Sequence, residues 1–544
     1  MPGIAIGRIK SLQKSRAPIT RREITDVQAE KARVNAGIAR AVAELEALYQ
    51  KALEEVGEKS AALFDVHRMI LEDDDFLDCV LGLIEDEHVN AEFAVDETRK
   101  EFEKIFTSMR TQYMRERAAD ISDICGLVMS CLSGQANFSL LTDEPFIVLA
   151  EDLAPSETIR MTKEQFLGFI TRDGSTQSHT AILARSMNIP AVVGIDSFDF
   201  GWDGHTAIID GHNGRVYIDP IPELLTEMEA KRAADQKKRK TLLSLIDKED
   251  VTQDGISVEL CANIGSPLDL DEVLKNGARG IGLFRSEFLY LNKDTYPSED
   301  EQFKAYSKVL ERMDGRRVVI RTLDIGADKQ AEYFGLEKED NPALGLRAIR
   351  LCFARPEIFK TQLRAMYRAS IYGKLAIMFP MITSLWEVRE LKRICSDVQD
   401  ELRNAGIAVA KHIEHGIMIE TPAAVMISEQ LSREVDFLSV GTNDLTQYAL
   451  AVDRQGKGLD RFYDPKHKAI LRMLKITADH AHQAGIWMGV CGELAADLSL
   501  TEFFLAIGVD ELSVAFSCVL PLRDVIRSSV IAQNRDDIIT KYIG

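Results

Sequence analysis

The stretch Phe437-Leu-Ser-Val-Gly-Thr-Asn-Asp-Leu-Thr-Gln-Tyr448 begins as a short apolar strand and then breaks into small and polar residues. The break places Asn443 and Asp444 at the carboxyl end of the strand predicted from Phe437 to Val440. Catalytic residues favour that position in parallel α/β folds. The stretch therefore predicts a parallel α/β fold whose chemistry lies at the carboxyl ends of its strands.

Seven other short apolar segments accompany this one in the C-terminal part of the chain, with helical spacing between them. The eight predicted strands are Val258–Ile264, Gly280–Phe284, Val318–Leu323, Leu375–Phe379, Gly416–Ile419, Phe437–Val440, Trp487–Val490 and Glu511–Val514. Eight such units in slightly fewer than 300 residues match the size and rhythm of a (β/α)8 TIM barrel. We therefore predict that residues 251–544 form this barrel.

Polar residues follow several of these strands. They are Arg285 and Glu287 after the second strand, Arg321 and Asp324 at the third, Glu420 after the fifth, Asn443 and Asp444 after the sixth, and Cys491 after the seventh. The loops after the strands of a TIM barrel form one mouth, so these side chains are expected to meet there. Each also has a plainer interpretation on its own: Cys491 is open to being a small buried residue, as free cysteines usually are.

The chain before the barrel divides into three further parts. Apolar residues recur every three, four or seven positions from about Thr25 to Leu132, which predicts a helical domain over residues 21–134. Short apolar runs after Pro145, and the alternating start of the chain, predict an α/β domain over residues 1–20 and 135–221. Residues 222–250 are strongly charged at i,i+4 spacing and are expected to form a linker helix.

His179 lies in the segment Gly174-Ser-Thr-Gln-Ser-His-Thr-Ala-Ile-Leu-Ala-Arg185, directly before a helix-forming run. Unpaired backbone N–H groups and the helix dipole favour a bound anion at such a position. A neutral imidazole near its pKa is also a competent nucleophile. The segment therefore predicts a histidine that carries a phosphoryl group. His412 and His415 form a His-x-x-His pair, but they precede the fifth strand, on the stability side of a barrel, and are not interpreted as a metal site.

Composition excludes several classes of protein. A net charge of −20 argues against nucleic acid or an anionic membrane as partner, because both require a basic face. The N-terminal segment lacks the order of a secretory signal, and no stretch approaches the roughly 18 apolar residues of a membrane span. Eight scattered cysteines without a Cys-x-x-Cys pair favour reduced thiols. We expect a cytoplasmic protein of two to four domains.

Long segments along nearly the whole chain resemble the enzyme I family of the bacterial phosphoenolpyruvate-dependent sugar phosphotransferase system. They are Pro2–Gly7, Asp152–Thr158, Gly174–Arg185, Gly282–Phe288, Arg321–Gly326, Asn341–Arg350, Ile419–Ala424, Val440–Tyr448 and Cys491–Leu494. The resemblance implies a multidomain α/β protein with a helical domain that binds HPr, the small histidine phosphocarrier protein. It also implies a swivelling α/β domain that carries phosphohistidine, a C-terminal TIM barrel that binds phosphoenolpyruvate, and a homodimer formed through the barrel.

The same resemblance implies roles for individual residues. His179 would take the phosphoryl group with Thr158 beside it, and Cys491 would protonate the enolate. Substrate binding would fall to Arg285, Arg321, Arg347, Asn443, Asp444 and Arg454, and Mg²⁺ to Glu420 and Asp444. The HPr-docking surface would include His67, Met69, Ile70, Asp73, Asp75 and Arg117, although each is also open to a purely structural role in the helical core.

One motif departs from the family. Where enzyme I usually has Gly-Gly-Arg-Thr-Ser-His, this chain has Gly174-Ser-Thr-Gln-Ser-His179, which leaves the roles of Thr176 and Gln177 open. Pyruvate phosphate dikinase and phosphoenolpyruvate synthase share the histidine domain and barrel but also need an ATP-grasp domain, for which this chain has no room. A protein of another class, a catalytically silent scaffold that keeps the fold, is the alternative. Such a protein would be free to lose His179 and Cys491, which this chain retains.

Because one histidine would serve both the barrel and HPr, the linker is expected to act as a stiff arm. Hinges are predicted at its two ends, near Pro220-Ile-Pro222 and Asp250-Val-Thr-Gln-Asp-Gly255. The sequence leaves open the state of the swivel, the ligand dependence of the dimer, the choice between Mg²⁺ and Mn²⁺, and the sugars that lie downstream.

Overall fold

The computed structural model describes residues 3–12, 19–55, 58–108, 112–133, 144–151, 153, 165–172, 189–195, 198–291, 293, 295–326, 332–337, 339–454, 456, 458–459 and 461–544. The chain forms two compact units, residues 1–238 and residues 239–544.

A helical bundle makes up much of the first unit. Its helices are α1 (Val27–Glu55), α2 (Glu58–Leu71), α3 (Asp74–Glu87), α4 (Ala91–Ser108) and α5 (Gln112–Ser133). The buried face of α1 carries apolar residues at helical spacing, as the sequence predicts: Val34, Ile38, Ala41, Leu45 and Leu48. The bundle therefore has an apolar core of its own.

A six-stranded sheet forms the rest of the first unit. Its strands are β1 (Ile4–Leu12), β2 (Phe146–Ala150), β3 (Phe166–Thr171), β4 (Ala191–Val192), β5 (Thr206–Asp210) and β6 (Arg215–Ile218), in the order β4-β3-β2-β1-β5-β6. The strand β1 pairs in parallel with β2 and antiparallel with β5, so the start of the chain lies in the middle of the sheet. Strands β5 and β6 pair antiparallel and form a hairpin, with Asp210 opposite Arg215.

The charged segment after the sheet forms the helix α6 (Pro222–Leu243). Met228 on its first half is buried against Ile4 and Ile208, and Lys231 pairs with Asp210 at 3.1 Å. The boundary between the two compact units falls after Lys238, inside this helix. The start of the linker is therefore packed on the sheet, where the sequence led us to expect a hinge.

The second unit is a closed barrel of eight parallel strands. They are β7 (Glu259–Ile264), β8 (Ile281–Arg285), β9 (Arg317–Arg321), β10 (Lys374–Phe379), β11 (Glu414–Ile419), β12 (Phe437–Val440), β13 (Trp487–Val490) and β14 (Glu511–Ala515). The ring closes because β14 pairs with β7 and β9 pairs with β10. The (β/α)8 barrel predicted from the sequence is thereby confirmed.

Helices lie between and after the barrel strands. They are α7 (Leu270–Lys275), α8 (Glu299–Arg312), α9 (Ile349–Ala354), α10 (Pro356–Ala369), α11 (Leu385–Asn404), α12 (Pro422–Met426), α13 (Ser428–Leu431), α14 (Thr442–Leu450), α15 (Lys468–Ala484), α16 (Thr501–Ile507), α17 (Val519–Ser528) and α18 (Arg535–Ile543). A continuous apolar core forms between these helices and the strands.

The second expected hinge is also held in place. Arg523, buried on α17, binds the side chain of Asp250 and donates to the carbonyls of Leu245 and Ile246 at 3.1 and 2.8 Å. Asp254 accepts the backbone N–H of Ile531 at 2.7 Å. Residues 250–255 are therefore part of the barrel unit, because a buried guanidinium and several backbone bonds fix them there.

Candidate active site at the barrel mouth

Parallel strands bring the predicted site residues to one end of the barrel. Arg285 is the last residue of β8, Arg321 the last of β9, and the two are paired in register. Glu420 directly follows β11, and Cys491 directly follows β13. The C-terminal ends of the strands thus gather cationic, acidic and thiol side chains in one mouth, as the sequence predicts.

Arg321 is held by two carboxylates in the mouth. Its Nη2 lies 2.5 Å from Oε1 of Glu287 and its Nη1 lies 2.9 Å from Oδ2 of Asp324. Burial by itself would lower the pKa of Arg321, but the carboxylates of Glu287, Asp324 and Glu420 outweigh it and raise the pKa further. The guanidinium is therefore charged and fixed in orientation.

Arg347 reaches the mouth from the loop before α9. Its Nη2 binds both carboxylate oxygens of Asp324 at 2.9 and 3.1 Å, and its Nη1 lies 3.9 Å from Oδ1 of Asp444. The next residue, Ala348, has a φ of 51°, which only a tightly determined turn supports in a residue other than glycine. Asp324 thus orients two arginines at once.

Glu420 has one carboxylate oxygen without a protein partner. Its Oε1 accepts the backbone N–H of Met381 at 2.5 Å, while its buried Oε2 has no hydrogen bond to any residue that the structure describes. Burial, followed by the charges of Asp444 and Asp324, raises the pKa of Glu420 to about 8. Such a shift means that a negative charge here lacks full compensation.

The space beside Glu420 is kept open by a glycine. A Cβ on Gly441 would lie 3.1 Å from Oε2 of Glu420 and 3.0 Å from Sδ of Met418. Asp444 is near enough for its charge to raise the pKa of Glu420, and carboxylate oxygens with an unpartnered member are the donors that a hard divalent cation requires. Glu420 and Asp444 therefore fit such an ion.

Asn443 and Asp444 lie in the first turn of α14. Oδ1 of Asn443 accepts the backbone N–H of Glu493 at 3.0 Å, so its Nδ2 faces away from that bond. Asp444 is buried, and its Oδ1 lies 3.9 Å from Nη1 of Arg347. This helix start offers N–H donors and a positive dipole end to an anion.

The thiol of Cys491 is buried at the mouth. Its Sγ lies 3.6 Å from the carbonyl oxygen of Val440, and burial raises the pKa of the thiol to about 11. The group therefore keeps its proton at neutral pH. A thiol of this kind is suited to donate a proton rather than to act as a nucleophile.

Two more of the predicted arginines are exposed. Arg285 forms no ion pair with any residue in the described part of the chain, and its side chain faces solvent at the end of β8. Arg454 is exposed after α14, and its backbone N–H donates a hydrogen bond to Oε1 of Gln447 at 3.2 Å. Both guanidinium groups thus remain available to an anionic ligand.

His179 and Thr158 lie outside the residues that the structure describes, as do Thr176 and Gln177. Their predicted roles stay predictions.

Three of the predicted docking residues are exposed near the junction of α2 and α3, and we call Met69, Asp73 and Asp75 the docking patch. Met69 is 62% exposed. Asp73 is the N-cap of α3, since its Oδ1 accepts the N–H of Asp75 at 2.9 Å. Ile70 is partly buried and packs against the helical core, so it anchors this part of the chain to the bundle.

His67 must be corrected as a docking residue. Its side chain is fully buried, with Nε2 3.4 Å from Asp120 and Nδ1 3.9 Å from Asp123 of α5, and its ring meets Phe64 edge-on. It offers no surface to a partner, because the helical packing turns it inward. Arg117 belongs to α5, but its side chain lies outside the described part of the structure.

Two further residues organise the mouth, and the sequence predicted the position of only one of them, Asp324. Asp324 holds Arg321 and Arg347, and Tyr448 accepts a hydrogen bond from Arg347 at 3.3 Å while donating to the carbonyl of Ala343. The position of Asp324 just after β9 was a signal for the mouth. The contact of Tyr448 carries no such signal, because it joins segments about a hundred residues apart.

Three family models match the chain. They describe the PEP-binding domain of PEP-utilising enzymes over residues 239–531, the N-terminal domain over residues 1–117 and the mobile domain over residues 142–214. Together with the barrel and its mouth, they define a PEP-utilising enzyme.

Within that class, the chain belongs to the family of phosphoenolpyruvate-protein phosphotransferases. Relatives with that name from Geobacillus stearothermophilus and Bacillus subtilis are 47% and 45% identical to it, over 96% of this chain and 90% and 92% of theirs. A Staphylococcus carnosus relative of the same name is 43% identical over 97% of this chain and 92% of its own.

Membership of this family implies a divalent metal ion, the binding of phosphoenolpyruvate and the transfer of phosphate to a phosphocarrier protein. Among the described helices, none has both the length and the apolar character needed to cross a bilayer.

Proposed function

We propose that this chain moves the phosphoryl group of phosphoenolpyruvate to its own His179 and then to HPr, as the first step of sugar uptake in the cytoplasm. The observation that carries the proposal is the mouth, where Asp324 fixes two arginines near Glu420, whose Oε2 has no hydrogen bond to any described residue. Positioning and charge neutralisation are the main demands of phosphoryl transfer, and this arrangement meets both.

The arginines of the mouth divide into a fixed pair and an exposed pair. Arg321 and Arg347 have restrained guanidinium groups, whereas Arg285 and Arg454 are exposed. Phosphoenolpyruvate carries a phosphate and a carboxylate, both of which arginine binds bidentately. In the proposal the four arginines hold these two anions, and Nδ2 of Asn443 contacts the phosphate.

Mg²⁺ is the proposed divalent ion, held by Glu420 and Asp444. When bound, it would neutralise negative charge on the phosphate that the arginines hold. Glu420 must lose its proton to serve as a ligand; burial raises the pKa of this carboxyl, and a bound cation would favour the loss.

The reaction then needs one nucleophile and one acid. In the proposal a nitrogen of His179 attacks phosphorus and forms the N–P bond as the P–O bond to the enol oxygen breaks, and Thr158 assists as the family resemblance implies. The enolate that leaves takes a proton at its methylene carbon from the thiol of Cys491, giving pyruvate and a thiolate that water reprotonates. The high pKa of the Cys491 thiol supports this role, because the proton is present when the enolate forms.

Labelled phosphoenolpyruvate tests the proposal directly. With Mg²⁺, the label should appear on wild-type protein as an acid-labile, base-stable phosphoramidate and should pass to added HPr. A His179→Gln variant should take no label, while an Asp271→Asn variant, changed in an exposed ion pair with Arg312, should label normally. Undiminished labelling of His179→Gln, or labelling on a different residue, would refute the proposed carrier.

The docking patch is the proposed contact for HPr. Met69 supplies an exposed apolar anchor, and Asp73 and Asp75 supply acidic charge beside it. Hot spots of this form pair a large side chain with a polar rim, and acidic rims accelerate association with basic partners. Arg117 stays part of the proposal, whereas His67 does not.

A homodimer through the barrel is also proposed. Trp386 on α11 and Met426 on α12 are 61% and 73% exposed, and they lie on consecutive β/α units. The ring of Phe353 packs against Trp386 with a distance of 5.7 Å between the ring centroids. Exposed apolar side chains of this size often mark protein interfaces. Sedimentation of Trp386→Glu should show monomers, and Ile371→Glu, which changes another exposed apolar side chain of the barrel, should not.

A further inference from the structure

The backbone N–H, the thiol and the carbonyl of Cys491 are all engaged by residues of β12 and β7. Its backbone N–H donates to the carbonyl of Val440 at 3.1 Å, and its thiol lies 3.6 Å from the same oxygen. Its own carbonyl accepts a hydrogen bond from Nδ2 of Asn263 at 3.1 Å. Asn263 is a half-buried residue near the end of β7, 228 positions away in sequence.

Ser513 fixes the orientation of the Asn263 amide. Its hydroxyl donates to Oδ1 of Asn263 at 2.7 Å, and Ser513 is fully buried on β14. The carbonyl of Cys491 accepts hydrogen bonds and never donates them, so the NH₂ group of Asn263 must face it. The chain Ser513 to Asn263 to Cys491 therefore has one consistent set of donors and acceptors.

We propose that Asn263, oriented by Ser513, is a positioning residue that aims the Cys491 thiol at the methylene carbon of the substrate. The inference rests on the proposed role of Cys491 as the proton donor. Asn263 transfers no proton itself: the S–H bond of Cys491 breaks, a C–H bond forms at the methylene carbon, and the enolate becomes the ketone of pyruvate. Its hydrogen bond holds the peptide from which the thiol projects.

The expected effect is on the chemical step rather than on substrate binding. A misplacement of about 1 Å costs on the order of a hundredfold in rate, because proton transfer requires close alignment. Asn263→Leu keeps a similar volume, adds no charge and removes the donor. It should lower kcat for pyruvate formation by about 10- to 100-fold and leave KM for phosphoenolpyruvate within about threefold.

A matched control exists in the same barrel. Nδ2 of Asn276 donates to the carbonyl of Glu272 at 2.8 Å, the same kind of bond in the segment before β8, away from the mouth. Asn276→Leu should cost comparable stability and leave kcat unchanged. A similar loss of kcat in both variants would overturn the inference, since the effect would then be structural.

A double-mutant cycle separates this inference from the proposed function. In a Cys491→Ala background, Asn263→Leu should cause no further loss of kcat, because the group it aims is gone. An equal loss in both backgrounds would overturn the inference alone. If Cys491→Ala itself turned over normally, the proton-donor role would fail and the inference would fail with it.

Ser513→Ala keeps the test available if Asn263→Leu does not fold. This change leaves the Asn263 amide in place but removes the bond that orients it. A several-fold loss of kcat with unchanged KM supports the inference, and normal kcat overturns it.

Discussion

Oδ1 of Asn443 accepts the backbone N–H of Glu493 at 3.0 Å and so ties the loop after β12 to the loop after β13. The helix start after β12 carries Asn443 and Asp444, and the segment after β13 carries Cys491. Their close approach makes the position of the proposed acid depend on the position of the proposed ligands.

Gly492 is expected to be essential to this junction. A Cβ at this position would lie 2.0 Å from Oγ1 and 2.5 Å from the backbone nitrogen of Thr442, so Gly492→Ala must push the two loops apart. We expect a loss of about 1–3 kcal/mol in the free energy of unfolding, as for other overpacked sites, and a large fall in kcat. Urea unfolding and steady-state kinetics measure both.

Gly265→Ala is the control for that substitution. Gly265 also follows a barrel strand, but a Cβ there would meet only Oδ2 of Asp269, at an ordinary contact distance of 3.8 Å. Stability and kcat should stay close to wild type. Near-normal kcat in Gly492→Ala would show that the junction tolerates separation.

Asp324→Asn should weaken substrate binding and stability together. The change leaves the buried cations of Arg321 and Arg347 undercompensated, and breaking a buried ion pair costs about 3–5 kcal/mol. KM for phosphoenolpyruvate should rise. The matched variant Asp271→Asn, which breaks an exposed pair with Arg312, should cost no more than about 1 kcal/mol. Equal losses of stability in the two variants would contradict the proposed role of Asp324 in fixing Arg321 and Arg347.

Asp73 is predicted to have two separable roles. As the N-cap of α3 it contributes about 1 kcal/mol, which Asp73→Asn should keep and Asp73→Ala should lose. As part of the docking patch it contributes charge, which both variants remove. Phosphate transfer to HPr should therefore slow in both at low salt, with self-phosphorylation unchanged.

Asp75→Asn removes charge without touching the cap acceptor and should slow transfer in the same salt-sensitive way. If the transfer rates of these three variants followed their stability rather than their charge, the HPr contact would lie elsewhere on the surface.

The Cys491 thiol should titrate far above its ordinary value of 9.0, at about 11 in the metal-free protein. Burial causes this shift. The contribution of the neutral thiol to the free energy of unfolding should therefore be fully present below pH 9. It should be lost as pH rises through about 11, where the buried thiol loses its proton. Thiolate absorbance in wild type minus Cys491→Ser should show no transition below pH 9. A difference titration near pH 7 would contradict the predicted effect of burial, because about half of the thiol would then be ionised at neutral pH.

The two compact units should have separable activities. A fragment of residues 1–245 includes all of α6, and it should accept phosphate from phosphorylated HPr but remain inert to phosphoenolpyruvate. A fragment of residues 244–544 retains the segment that Arg523 binds and should bind phosphoenolpyruvate without durable phosphorylation. Direct labelling of the first fragment by phosphoenolpyruvate would contradict the assignment of the barrel arginines.

The sequence by itself determined the eight-stranded barrel and the residues that meet at its mouth. Periodicity and strand-end position are local properties, so Arg321, Glu420 and Cys491 could be placed from neighbouring residues alone. His415, which the same reasoning does not interpret as a metal ligand, lies near the start of β11 and forms a hydrogen bond with the hydroxyl of Tyr367 at 2.9 Å.

Tertiary structure alone decided which side chains touch. His67 and Met69 are two positions apart on one helix, yet packing against α5 buries the first and leaves the second exposed. Asn263 meets Cys491 across 228 residues only because the barrel closes between β14 and β7. Contacts of this kind depend on the relative placement of distant strands and helices, which no local pattern of residues encodes.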